Sequence, residues 1–228
     1  MCDAKCIIFG ATMLNETEVK DKRIVEVGSM DVNGSLRPIL TKWNPAEYVG
    51  VDIEHGPGVE VLCPAGKMVE KFGKESFDLV ISTCVLEHIR DWKEAISNIK
   101  NVCKRNGILL IIVPSNWPFH GYPHDYWRFG KRDMENIFSD CDILVLKEDA
   151  TKPSLVYAKI RKPEKFMEKD LSEYKLHSVI LNKIIIDIND IEYNKFITRL
   201  RLINNAKKHL SKLANKLFSM LSKNSPNN

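Results

Sequence analysis

Apolar residues in the first 160 positions fall into short runs separated by turn formers, and the runs differ in period. Arg23-Ile24-Val25-Glu26-Val27 is a β-rich run stopped by Gly28. The turn formers Ser29 to Ser35 then lead into Leu36-Arg37-Pro38-Ile39-Leu40, so the order predicted is strand, glycine turn, helix. Tyr48 to Asp52, Val59 to Leu62 after the turn Gly56-Pro57-Gly58, and Phe77 to Ser82 predict three more strands. Trp92, Ala95, Ile96, Ile99, Val102 and Cys103 recur at helical spacing between a capping Asp91 and a closing Asn106-Gly107. Ile108 to Val113 is uninterrupted apolar sequence, as expected of a parallel strand covered on both faces. Strands alternating with helices predict an α/β, doubly wound, mostly parallel sheet. After a helix over Lys131 to Phe138, the runs Ile143–Lys147 and Leu155–Ile160 are separated only by a short polar loop. No crossover helix fits between them, so they are expected to pair antiparallel at the end of the sheet.

Beyond Pro163 the period changes. Residues 1–162 are expected to form the main domain, with 1–20 as a helical lead-in, 163–192 as a linker and helical segment, and 193–228 as a basic tail. In that tail Phe196, Leu200, Ile203, Leu210, Leu213, Leu217 and Leu221 follow steps of three and four, with Lys208, Lys212 and Lys216 on another row. The chain's net charge is +4, yet the tail holds six Lys and two Arg without any acid, which leaves −4 on residues 1–192. A mildly acidic body argues against nucleic-acid binding. An amphipathic basic helix instead fits docking on its own domain, a homodimer contact, or peripheral contact with an anionic membrane. With 44% hydrophobic residues across 228 positions there is material for a full core, and no run approaches a membrane span or a signal peptide, so a cytoplasmic protein is expected. Six cysteines without CxxC spacing predict free thiols and no metal site.

The candidate chemistry lies at the carboxyl ends of the predicted strands. Gly28 ends the first strand, where a missing Cβ lets backbone approach a ligand, and Gly34 permits close approach at the following helix. Asp31, Asn33 and Ser35 offer polar contacts or caps around them. Asp52 ends the second strand 24 positions after Gly28, near the roughly 20-residue separation at which an acid grips ribose hydroxyls. Pro114 to Phe129 follows the fifth strand and is dense in aromatics, including Trp117, Tyr122, Tyr126 and Trp127, as expected of a lid or acceptor pocket. Its His120 and His124 have the unperturbed pKa of a general base, and Asp125 and Arg128 either position them or bind an anionic acceptor. Tyr126, Trp127 and Phe129 alternatively pack the loop onto the sheet.

The segments Val25-Glu26-Val27-Gly28-Ser29, Asp31-Val32-Asn33-Gly34-Ser35, Tyr48-Val49-Gly50-Val51-Asp52, Ser76 to Ser82, Leu86-Glu87-His88 and His124 to Phe129 occur in the order found in class I S-adenosylmethionine-dependent methyltransferases. The chain resembles their type 11 group from about residue 20 to 162. That resemblance implies a Rossmann-like sheet of seven strands closed by the antiparallel hairpin, and S-adenosylmethionine as cofactor. It puts Glu26, Gly28 and Ser29 around the methionine half, Asp52 on the ribose, Ile53 beside the adenine, and Ser82 and Thr83 on the cleft floor. His88 falls at the cleft mouth, where it either touches the acceptor or holds the loop. The sequence departs from the family pattern at Gly28-Ser29-Met30, which replaces a glycine-x-glycine turn, and at Cys63-Pro64-Ala65, where an Asp is usual. The activity implied is methyl transfer to a small-molecule, sugar or lipid-linked acceptor. Two other readings remain open: a binding module of weak or no activity recruited through the basic tail, and a nicotinamide-dependent oxidoreductase, which the absence of glycine at positions 30 and 33 opposes.

Overall fold

The computed structural model describes residues 4–120 and 124–215 in full and the helical backbone through Lys223. These form two units, Met1–Asp187 and Ile188–Asn228. The first contains a seven-stranded sheet in the order β3-β2-β1-β4-β5-β8-β7. Its strands are β1 (Arg23–Val27), β2 (Glu47–Asp52), β3 (Val61–Leu62), β4 (Phe77–Thr83), β5 (Cys103–Asn116), β7 (Asp142–Glu148) and β8 (Ser154–Arg161). The first five run parallel, while β8 is antiparallel to both β5 and β7. The expected hairpin is therefore present, with its second strand inserted between β5 and the first. Burial explains the insertion: β8 is buried from Ser154 to Ile160, whereas β7 is half-buried or exposed along its length and so takes the edge.

Helices α1 (Ala4–Met13) and α2 (Glu16–Val19) precede the sheet, and α3 (Arg37–Leu40) follows β1 with Pro38 in its first turn. Next come α4 (Met68–Phe72), α5 (Trp92–Val102) and α6 (Lys131–Ile137). Leu79, Ile81, Leu110 and Ile112 of the central strands join Cys6, Phe9, Leu36 and Leu40 in one buried cluster. The helix predicted to close at Asn106-Gly107 ends at Val102 instead. Cys103 already pairs with Phe77, and β5 bends through Asn106 (φ 60°) before rejoining β4 at Ile108.

A second sheet departs from expectation. Residues 163–192, expected as linker and helix, contribute β9 (Leu176–Ser178) and β10 (Lys183–Ile185), which pair with β6 (Trp127–Arg128) in the order β10-β9-β6. Trp127 lies opposite Ser178, and Arg128 opposite His177. The aromatic loop thus gains a strand partner that apolar periodicity cannot reveal, because β9 and β10 are three residues each and fall below the length at which a period shows. The second unit is the long helix α7 (Asp190–Lys223), and Leu202, Ile203, Leu210 and Leu213 are among its exposed apolar side chains. No helix among the described residues is long and apolar enough to cross a membrane.

Candidate active site

At the carboxyl edge of the sheet, β1 ends in Gly28 with φ +70°, and both Gly28 and Ser29 donate their N–H groups to the Val51 carbonyl (2.8 and 3.1 Å). A Cβ on Gly28 would lie 2.1 Å from a Val85 methyl. The turn is closed on the other side by Asp52, whose carboxylate accepts the Met30 N–H at 3.2 Å and the Ile53 N–H at 2.7 Å. The glycine turn and the acid that ends β2 are therefore in direct contact, 22 positions apart in sequence.

Polar groups around this turn divide into satisfied and unsatisfied. Glu26 is buried and accepts from Tyr48 Oη (2.8 Å) and Ser35 Oγ (3.3 Å); burial raises its carboxyl, against the hydrogen bond from Tyr48. Asp31 accepts the Gly34 N–H (2.9 Å) and Ser35 accepts the Arg37 N–H (3.0 Å), so both shape the loop; Asn33 is exposed beside them. Ser29 Oγ and Ser82 Oγ, by contrast, are buried without a hydrogen-bond partner among the described residues. Ser82 pairs with Val27, so both hydroxyls stand at the carboxyl ends of the two central strands, and Thr83 is buried next to them. Buried orphan hydroxyls are rare and mark a missing polar partner. Ile53 is 62% exposed beyond Asp52, an apolar side chain without cover.

Three residues of this edge escaped the sequence reading. Arg37 forms a paired contact with Glu60 (2.5 and 2.7 Å), donates to the Gly58 carbonyl (3.0 Å) and stacks on Tyr48. Glu60 also accepts the Gly50 N–H at 2.6 Å. A Cβ on Gly50 would fall 1.9 Å from the Gly58 carbonyl oxygen. The available signal was Gly50 itself, since a glycine inside a strand marks close backbone approach.

The loop after β5 is held by a buried ion pair. Arg128 donates through NH2 to Asp125 (2.7 Å) and Pro118 O (3.0 Å), through Nε to Trp117 O (2.8 Å), and through NH1 to Asp125 and Trp127 O (2.7 Å). All five guanidinium donors are engaged and the residue is 3% exposed, so Arg128, expected to bind substrate, has no donor left for an anion. Burial pushes the Asp125 carboxyl upward, but hydrogen bonds from Arg128 and His120 outweigh it and hold it well below the usual carboxylate range. Asp125, expected among the catalytic groups, is buried and engaged by Arg128 and His120. Tyr126 and Trp127 are buried as well, with Trp127 and Phe129 packed edge-on against Trp92 of α5. Trp117 is half-buried against the core. Tyr122 lies outside the described residues.

His120 donates to Asp125 from its backbone N–H (2.9 Å), and its Nδ1 lies 3.1 Å from the same carboxylate. That hydrogen bond raises the His120 imidazole, while partial burial works the other way. Its Nε2 points to His88 Nε2 at 3.4 Å, and His88 Nδ1 is hydrogen-bonded to the His124 carbonyl. Glu87, 1% exposed, places Oε1 3.6 Å from His88 Nε2. His88 and His120 therefore meet, whereas the His124 ring stacks on Tyr126 instead.

Residues 25–111 match the family described as a methyltransferase domain. That stretch of the chain carries the likeness to a methyltransferase domain. The match spans the glycine turn, Asp52 and the Glu87-His88 pair, and stops before the aromatic loop. No curated protein matches the chain. Among solved structures, it is similar to the 1,6-didemethyltoxoflavin-N1-methyltransferase of Burkholderia thailandensis, solved with S-adenosylhomocysteine, at 13% identity and a TM-score of 0.59 over 71% of this chain and 80% of that one. A putative S-adenosylmethionine-dependent methyltransferase of Listeria monocytogenes aligns at 12% identity with a TM-score of 0.52, covering 71% of this chain and 100% of that chain. The cyclase SpnF aligns at 13% identity with a TM-score of 0.55, over 70% of this chain and 81% of the other. At these identities the likeness shows the fold alone, and a cyclase among the neighbours shows that this fold does not fix the reaction.

Proposed function

We propose that the chain transfers the methyl group of S-adenosylmethionine to a small-molecule, sugar or lipid-linked acceptor. The observation that carries this reading is the direct Met30–Asp52 contact, which joins a glycine turn to a strand-end carboxylate beside two orphan hydroxyls. The carboxylate retains acceptor capacity for ribose hydroxyls after its backbone bonds, exposed Ile53 offers a face to adenine, and the Ser29 and Ser82 hydroxyls are the candidates for polar contact with the methionine half. In the transfer the S–CH3 bond breaks with its electron pair left on sulfur, and the acceptor's lone pair forms the new bond. What the protein supplies is alignment, exclusion of water and removal of the acceptor proton. The acceptor side is the Glu87, His88 and His120 cluster. His120 presents Nε2 to that cluster, Asp125 positions it, and the His124 backbone carbonyl positions His88.

Asp52→Ala is expected to weaken S-adenosylmethionine binding at least tenfold, about 1.4 kcal/mol, in isothermal calorimetry. Unchanged affinity in a variant that melts like the wild type would assign the ribose elsewhere. A second reading is favoured by the Val85 methyl packed over Gly28 and by the Asp31 N–H bonded to the Pro57 carbonyl (2.9 Å), which draws the β2–β3 turn onto the glycine turn. Under it the domain binds the cofactor weakly or not at all and works as a recruitment module. The same titration decides between them, because a module gives no heat with either S-adenosylmethionine or S-adenosylhomocysteine. NAD in a parallel cell tests the oxidoreductase alternative.

The proposal places the protein in the reducing cytoplasm, in keeping with the thiols of Cys63, Cys103 and Cys141, and gives α7 the role of a peripheral contact. Its exposed Leu210 and Leu213 lie among Lys207, Lys208 and Lys212, the composition of a helix that settles on anionic lipid. The full chain is expected to co-sediment with phosphatidylserine vesicles and a chain ending at residue 192 to remain in solution. Equal sedimentation of both removes the membrane role, and a mass change from dimer to monomer on truncation assigns the helix to a second copy instead.

A further inference from the structure

We propose that Glu87, His88 and His120 bind a divalent transition-metal cation, of the zinc type, beside the cofactor cleft. One ligand atom from each residue falls within 4.8 Å of the others. The hydrogen bonds on the far side of each ring fix which atoms face inward. His120 Nδ1 looks onto the Asp125 carboxylate and the Pro118 carbonyl, and His88 Nδ1 onto the His124 carbonyl, so the neutral tautomer that these acceptors select carries its proton on Nδ1 and leaves Nε2 as the metal-facing lone pair. The two Nε2 lone pairs then point at each other across 3.4 Å, with Glu87 Oε1 3.6 Å from one of them. With both rings neutral, two imidazole lone pairs and a carboxylate oxygen converge on one point, the atoms that a cation takes as ligands. Glu87 sharpens the point, because it is 1% exposed and its second oxygen, Oε2, is buried with no hydrogen-bond partner among the described residues.

A cation resolves this arrangement, and the spacing fits one. With metal–ligand bonds of about 2.0–2.1 Å at the tetrahedral angle, neighbouring ligand atoms stand about 3.3–3.4 Å apart. The observed 3.4 Å between the nitrogens is such an edge, and the 3.6 Å contact is close to one. Two imidazoles and one carboxylate form a ligand set that leaves a position open. Asp125 behind His120 and the His124 carbonyl behind His88 are the outer partners that keep such rings oriented. The cluster begins two residues after Val85, whose methyl covers Gly28, so one short segment after β4 serves both the glycine turn and the cluster. On the methyl-transfer reading, on which this last step rests, the open position takes an acceptor hydroxyl. The cation then lowers that hydroxyl's pKa and its proton leaves to solvent, which narrows the acceptor to an oxygen nucleophile.

The test is metal binding alone, without cofactor or acceptor, so that its failure leaves the cofactor titration unaffected. Tag-free full-length protein, stripped with chelator, is titrated with Co²⁺ while its visible ligand-field bands are followed, then challenged with Zn²⁺ and Mn²⁺. One equivalent should bind. His88→Ala, His120→Ala and Glu87→Gln should each weaken binding at least about tenfold. His55→Ala, at an exposed histidine outside the cluster, should bind as the wild type does, and thermal melts confirm that every variant is folded. If the wild type shows no saturable binding of any of the three ions, the cluster holds only a shared proton and the proposal is overturned. Undiminished binding in any one of the three ligand variants overturns it equally.

Discussion

Arg128→Ala is expected to destabilise the protein by about 3–5 kcal/mol, the cost of leaving a buried charge without its partner. The Asp125 side chain is fully buried, and its two oxygens are satisfied chiefly by the Arg128 guanidinium. Removing that group leaves the carboxylate with His120 alone and takes a donor from each of the Trp117, Pro118 and Trp127 carbonyls. Urea denaturation monitored by tryptophan fluorescence measures the loss. Arg128→Lys keeps the charge but cannot span both carboxylate oxygens and three carbonyls, so it should recover only part of it. A loss below about 1 kcal/mol, typical of an exposed pair, would show that the clamp does not hold the loop.

Gly28→Ala should cost a similar amount and abolish cofactor binding. The left-handed φ of +70° costs an L-residue roughly 1–2 kcal/mol, and forcing a Cβ to within 2.1 Å of the Val85 methyl adds an overpacking cost of about 1–3 kcal/mol. The two parts separate experimentally. Val85→Ala in the Gly28→Ala background relieves the collision and leaves the backbone penalty, so recovery should be partial. Full recovery would mean that the turn tolerates an ordinary residue and that its glycine serves only to make room.

What the sequence revealed and what it hid follow from the range of the forces involved. The strands β1, β2, β4 and β5 announce themselves because each buries a local run against both neighbours, and Gly28 and Asp52 stand out because strand ends are marked by turn formers. The aromatic loop was visible as composition, but its internal arrangement was not. Arg128 offered two uses, anion binding or positioning, and only the direction of its five donors selects the second. His88 and His120 lie 32 positions apart and share no periodic signal, so their meeting depends on the Asp125 clamp and on β9 pairing with β6. The Arg37–Glu60 brace was hidden for the same reason, since it is a contact between a helix start and a loop.

The position of β8 in the sheet bears on how the protein is made. A ribosome delivers β5 before the strand that must lie against it, and α6 and β7 emerge in between. For a few seconds, at roughly 5–20 residues per second, the nascent chain presents the apolar edge of Ile108–Val113 uncovered. Any premature stop ahead of Ser154 makes that exposure permanent, so such fragments should be substrates for chaperones or aggregate rather than persist as small folded proteins.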